Sequence, residues 1–308
     1  IFLYTTLIGF TWSVETPARR VYMRGIVGSL GITRVLAIEM IAWNGGQLIG
    51  SNVAGLGLMF IHTGWLFLLV ASLMIGSIFL LGGLPTGFTK SLEKGVGSFG
   101  KSLAEGFQLV KGSRLLKGSL LIMGVTNLFA FNYEPLTPVF AVHVMGLGSA
   151  LLGLLISAPA IGAMAGAVWL SLYGHRVHRH GILLAAATMG MMLGNLGLSI
   201  SNSYIQSLLS LMLVGASLNL FITMSGALIL VAVPIDKQGR VLGIQAVMIG
   251  FFPVGTLIVG SLSNQLGPNM ALLITSLVGC ITTAAIALLF SELRLPTRAL
   301  NGKKADDQ

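Results

Sequence analysis

A chain of 308 residues with 55% hydrophobic side chains, 9% charged ones and a mean hydropathy of +0.90 cannot cover a soluble body with polar groups, since such bodies carry about a quarter charged residues. Lipid is therefore the solvent over most of the exterior, where only helices or a closed barrel satisfy their own backbone. The long apolar runs lack the alternation of barrel strands, so the fold class is all-α, a polytopic membrane protein.

A hydrocarbon core of about 30 Å takes about 20 apolar residues per helix. The first run, 1–14, is a stump: it opens Ile1-Phe2-Leu3-Tyr4 with no basic segment before it, and so reads as a truncated start rather than a signal peptide. Complete spans are then expected at 36–59 and 65–84. A long polar segment, 85–117, carries Leu103, Phe107 and Val110 at helical spacing among lysines, which predicts an amphipathic helix at the membrane surface. Six further spans follow at 118–142, 147–172, 181–200, 206–233, 241–262 and 270–290. The expected organisation is the remainder of one bundle (1–84), a linker (85–117), a six-helix bundle (118–290) and a tail (291–308).

The connections alternate between two sets. All 18 Lys and Arg residues fall in 15–35, 85–117, 173–180, 234–240 and the tail, and none in 60–64, 143–146, 201–205 or 263–269. Basic residues stay cytoplasmic during insertion, so the C-terminus is expected inside. This partition assigns the net charge of +9 to one leaflet's surface and not to nucleic acid. The single Cys280 provides neither a disulfide framework nor a thiolate metal site.

Glu134 stands out among the polar residues within the spans. It lies 16 residues into 118–142, about 24 Å of helix. An intramembrane charge normally faces a cavity or a partner, which makes Glu134 a candidate protonatable or substrate-contacting carboxylate; the competing reading is a glutamate that reaches water near the outer surface. Asn127, Phe131, Glu134 and Pro138 recur at steps of four, three and four, and Pro135 with Pro138 should break the helix locally. Asn44, Gln47 and Ser51 form one polar stripe, and Asn219 with Thr223 another. Such groups meet a substrate or bond across helices. Glu39, beside Arg34 near the start of its span, fits interfacial pairing. His175, His178 and His180 alternate with Arg176 and Arg179, which suits a solvated basic loop better than a metal site. There is no nucleophile elbow, metalloprotease motif or phosphate loop, so no enzyme, cofactor or ATP-driven pump is expected.

Two segments repeat loosely, Arg34-Val35-Leu36-Ala37-Ile38-Glu39 and Arg240-Val241-Leu242-Gly243-Ile244-Gln245, each where a cytoplasmic connection enters an outgoing helix. Parallel repeats of this kind relate the halves of major facilitator proteins. The chain resembles that superfamily, and in particular bacterial exporters similar to the enterobactin exporter and related drug–proton antiporters. The resemblance rests on Thr16-Pro17-Ala18-Arg19-Arg20, on Glu105–Lys111 running to Lys117, on the stretch from Gly146-Leu147-Gly148 through Ser157-Ala158-Pro159-Ala160-Ile161-Gly162, and on Pro234–Gly243. The family's signature loop between helices two and three is expected to be missing with those helices, and its weaker echo, at Gly174–Gly181, keeps the arginines but lacks the acidic residue.

The resemblance maps the chain onto helices four to twelve of twelve. It implies a bacterial inner-membrane protein that moves a small organic molecule by alternating access, as proton-coupled efflux. Glu134, Asn127, Asn219, Thr223, Asn44 and Gln47 would line the path. The fragment alone is expected to be inactive. An uptake carrier and a non-transporting scaffold of the same fold are the alternatives.

Overall fold

The computed structural model describes Arg19, Met23, residues 38–39, 41–82, 99–174, 177, 179–233 and 235–295. The stump 1–14, Thr16–Ala18, Arg20, Arg34, the first part of the linker (85–98), His175, Arg176, His178 and the tail 296–308 lie outside the described residues.

Every regular element among the described residues is helical: α1 (41–60), α2 (Thr63–Gly82), α3 (Phe99–Lys111), α4 (Arg114–Phe129), α5 (Tyr133–Val139), α6 (Ser149–Tyr173), α7 (His180–Ser199), α8 (Tyr204–Ala232), α9 (Ile235–Ile249), α10 (Phe252–Leu266) and α11 (Pro268–Leu289). Seven stretches of the described residues are long and apolar enough to cross a membrane, α4–α5 and α9–α10 each counting as one. α1 has the length but not the composition, because Asn44, Gln47, Asn52 and five glycines dilute its apolar residues.

The chain divides into two compact units, Ile1–Gly46 with His62–Gly97, and Gln47–Ile61 with Ser98–Gln308. In the first unit no residue of 63–80 in α2 is buried, and Trp65, Phe67, Phe79 and Leu80 are all exposed. A helix apolar on every side and buried on none is one that lipid covers. Arg19 pairs with Glu39 at 2.9 Å, so the carboxylate expected beside Arg34 has its partner in the preceding connection.

The second unit holds an extensive core. Ile122, Met123, Leu155, Leu184, Met191, Met192, Leu211, Leu228 and Ile244 are fully buried. Between lipid-embedded helices the drive to associate is close packing rather than loss of water, and small residues permit it. α6 and α8 meet backbone to backbone: a Cβ on Gly162 would strike Met212, and one on Gly215 would strike Pro159. α7 joins α8 through Gly194 against Val214 and Ser210, and α11 joins α7 through Gly279 against Met192. Thr126 on α4 bonds Thr188 on α7 through their hydroxyls at 2.9 Å.

The linker helix α3 is amphipathic, and of the apolar positions read for it Val110 turns inward and Phe107 does not, while the side chain of Leu103 lies outside the described residues. Gly106 and Val110 are buried while Phe107 is exposed, because Gly106 fits directly under the Arg240 carbonyl of α9. Glu105 then reaches Arg240 at 3.0 Å.

Two spans differ from their sequence-based outlines. The region 234–240, expected as a loop, is mostly the first turns of α9. Val233, just before it, is extended (φ −121°, ψ 130°), as a residue before proline favours. The run expected to be continuous at 241–262 is interrupted at Gly250–Phe251, because Pro253 has no N–H to give the Ile249 carbonyl.

Candidate functional site

The span that carries Glu134 runs from Arg114 to Val144, four residues earlier than expected. Ser113 starts it by accepting the Leu116 N–H, an N-cap that satisfies one of the helix's open donors. Glu134 sits 20 residues from the Arg114 end and 10 from the Val144 end, about 30 Å and 15 Å of helix. The helix is not continuous between them. α4 stops at Phe129, a three-residue 3₁₀ turn covers Ala130–Asn132, α5 carries Glu134, and a π-helical turn covers Phe140–Val144. Pro135 and Pro138 supply the reason, since each removes an N–H and crowds the carbonyl four residues back.

The interruption divides the face read from the sequence. Asn127 is buried, with its Nδ2 donating to the Met123 carbonyl of its own helix at 2.8 Å. Phe131 is half-buried and meets Phe252 edge to face at 5.9 Å. Glu134 and Pro138 are exposed. A 3₁₀ turn advances about 120° per residue where an α-helix advances about 100°, so three such residues rotate α5 by about 60° relative to α4.

Glu134 differs from the other described glutamates in its electrostatics. Glu39 pairs with Arg19, Glu105 with Arg240 and Glu292 with Arg114, at 2.9, 3.0 and 3.3 Å. Glu134 has no ion pair among the described residues. The three paired carboxylates tie one segment to another, which accounts for them structurally. Glu134 has no such account.

Asn219 is half-buried and Thr223 exposed on α8, where Thr223 donates to the Asn219 carbonyl at 2.9 Å. α4 and α8 touch, but no hydrogen bond among the described residues joins this pair to Glu134 or Asn127. On α1, Asn44 is half-buried within the first unit, and Gln47 is exposed in the second, its carbonyl accepting from Ser51 at 2.7 Å.

Three asparagines outside the sequence-based set are also informative in the second unit. Asn195 of α7 donates to the Ala130 carbonyl at 2.8 Å, at the interruption where the α4 ladder fails. Asn132, 1% exposed, has neither Oδ1 nor Nδ2 partnered, and Asn195 Oδ1 is also without a partner. Buried amide atoms left open in this way call for an explanation. Asn52, next to the stripe read on α1, bonds Leu48 O and, across to α6, Ser157 Oγ at 3.0 Å. The sequence does carry signals for two of them: Asn195 stands seven residues from Thr188 on a mostly apolar span, and Asn52 precedes Gly55, which packs on Gly153.

A family model described as the Major Facilitator Superfamily matches residues 1–248. No curated protein matches the chain.

Proposed function

Because the chain belongs to the Major Facilitator Superfamily, whose members are secondary transporters of small molecules in the lipid bilayer, we propose that it serves proton-coupled efflux of a small organic solute across a bacterial inner membrane by alternating access, with Glu134 as the proton-carrying carboxylate. The observation that carries this reading is Glu134 itself: exposed within a membrane span, beside a helix interruption, and in no ion pair where the other three described glutamates each have an arginine. Intramembrane carboxylates are costly and mark proton relays or substrate paths. The unpartnered Asn132 and Asn195 atoms at the same interruption supply polar groups that can receive water or solute as the helix shifts. Asn219 and Thr223 are assigned as polar contacts to the solute from α8. A path that carries one carboxylate and otherwise amide and hydroxyl groups would suit an uncharged or hydrophobic solute.

The positive-inside distribution supports a cytoplasmic C-terminus and a cytoplasmic 85–117 linker between the bundles. The test of function uses proteoliposomes with a pH-sensitive dye inside, to which a panel of small organic solutes is added. A transported solute discharges an imposed pH gradient. Glu134→Gln should abolish that discharge, while Glu134→Asp, which keeps the carboxylate, should retain part of it. Wild-type pH dependence in Glu134→Gln would remove Glu134 from the proton path. Solute movement indifferent to the gradient would remove proton coupling altogether.

A further inference from the structure

The end of the second unit that bears Arg114, Arg179 and Arg294 carries a groove of about 340 Å³ between α7 and α11, remote in sequence from Glu134. Gly181 and Ala185 form one wall, and Thr283 and Ala287 the other, with Met189 and Arg294 completing it. The side chains in each wall are four residues apart and small, so they leave a furrow along the helix axes. Such a furrow is too narrow for a helix, which needs 8–10 Å between axes, but it suits a single hydrocarbon chain. The 3₁₀ turn Ser291–Arg294 closes one side, held tightly because Gly181 packs directly on the Leu293 carbonyl.

We propose that this groove seats one anionic phospholipid, with its phosphate on Arg294 and an acyl chain between α7 and α11. The guanidinium is fixed at the mouth of the groove, since Nε and Nη2 both donate to the Ala287 carbonyl at 3.2 and 3.0 Å. A guanidinium has five N–H donors, so these two bonds leave a planar fork that matches phosphate. Among the described residues Arg294 makes no ion pair, because its neighbour Glu292 is taken by Arg114. Arg179 is exposed immediately before α7 and adds a second cation at this end. The opening N–H groups of α7 point the same way, and helix N-termini favour anions.

A further observation comes from within the groove. Thr283 is 1% exposed, lines it, and its hydroxyl has no partner. It lies one turn below Ala287, about 6 Å along the axis. That is the depth at which the ester linkage of a phospholipid follows its phosphate, and the carbonyl there is the acceptor that Thr283 lacks.

The test reconstitutes the 308-residue chain in nanodiscs of equal phosphatidylglycerol and phosphatidylcholine and counts retained lipids by native mass spectrometry. Wild type should keep one phosphatidylglycerol with about fivefold preference, the scale of one basic side chain at an anionic surface. Arg294→Gln should bring the preference close to unity, and Arg294→Lys, which keeps charge but not the fork, should fall between. Ala284→Phe, which fills the groove, should remove both lipids while circular dichroism stays helical. Equal retention by wild type overturns the proposal, as does an undiminished preference in Arg294→Gln. Displacement by inorganic phosphate alone would make the site an anion site and not a lipid site. If a second copy of the chain occupies this face, seen as a lipid-free dimer, the proposal also fails. Should Arg294→Gln unfold, Arg294→Lys together with Ala284→Phe decides the matter.

Discussion

Gly215 offers the sharpest test of the packing. It sits mid-way along α8 where α6 passes, and a Cβ built there would lie 2.5 Å from the Pro159 carbonyl carbon and 2.6 Å from its Cα, against about 3.4 Å for an ordinary contact. The obstacle is backbone, the Pro159 carbonyl oxygen nearest of all, which no side-chain rotation relieves, so Gly215→Ala must part the two helices by more than about 1 Å. A gap of 0.5–1 Å forfeits a quarter to a half of each affected dispersion contact, and overpacking of this kind costs about 1–3 kcal/mol. Alanine itself favours helix over glycine by about 1 kcal/mol, which masks part of the cost. Gly226 on the same helix has nothing within 4 Å of its virtual Cβ, so Gly226→Ala receives the propensity gain alone. The difference between the two variants therefore isolates the overpacking term. Unfolding by sodium dodecyl sulfate in mixed micelles, followed by circular dichroism, should place Gly215→Ala about 1–3 kcal/mol below Gly226→Ala. Equal stability would refute backbone contact between α6 and α8.

Three other perturbations act on particular bonds. Asn195→Ala strips the donor from the buried Ala130 carbonyl and should cost about 1–3 kcal/mol in the same titration, with larger loss of solute-driven proton flux than of stability if the interruption serves transport. The Glu105–Arg240 pair is 34% and 42% exposed, so a double-mutant cycle with Glu105→Gln and Arg240→Gln should give a coupling of only about 0.2–1 kcal/mol that shrinks with salt. The bond from Asn52 to Ser157 should show a coupling of about 0.6 kcal/mol in an Asn52→Ala, Ser157→Ala cycle; none at all would mean that α1 and α6 are held by Gly55 and Gly153 alone.

The helical class and the placing of most spans are legible in the sequence because both depend on composition over some twenty residues, a quantity that tertiary context does not alter. Single proline positions are harder. Pro135 and Pro138 announce a broken helix, and one is present. Pro253 lies inside an equally apolar run that reads as continuous, yet α9 gives way to α10 there. Hydropathy is blind to a missing N–H. The face of α3 is obscured for a related reason: Phe107 belongs to the apolar pattern yet stays exposed, whereas the packing turns on Gly106, which contributes nothing to such a pattern and everything to how near α9 can come.

The candidate site is legible only in part, and the division has a physical origin. A carboxylate in an apolar run is visible as a cost, so Glu134 can be picked out by position. Its surroundings depend on where the carbonyls released by the helix interruption find donors, and that is settled by a partner 65 residues away, Asn195 on Ala130. Sequence spacing places Asn127 and Glu134 on one stripe only if the turns between them are regular. Once three residues wind as 3₁₀, Asn127 returns to its own helix and Glu134 turns outward. The same irregularity that defeats the periodic reading leaves Asn132 and one Asn195 oxygen without partners. A fully satisfied helix would resist rearrangement at this level, since each broken bond in lipid costs several kcal/mol. A segment whose α-helical ladder is already interrupted by a 3₁₀ turn gives up less in shifting, and Glu134 is two residues from it.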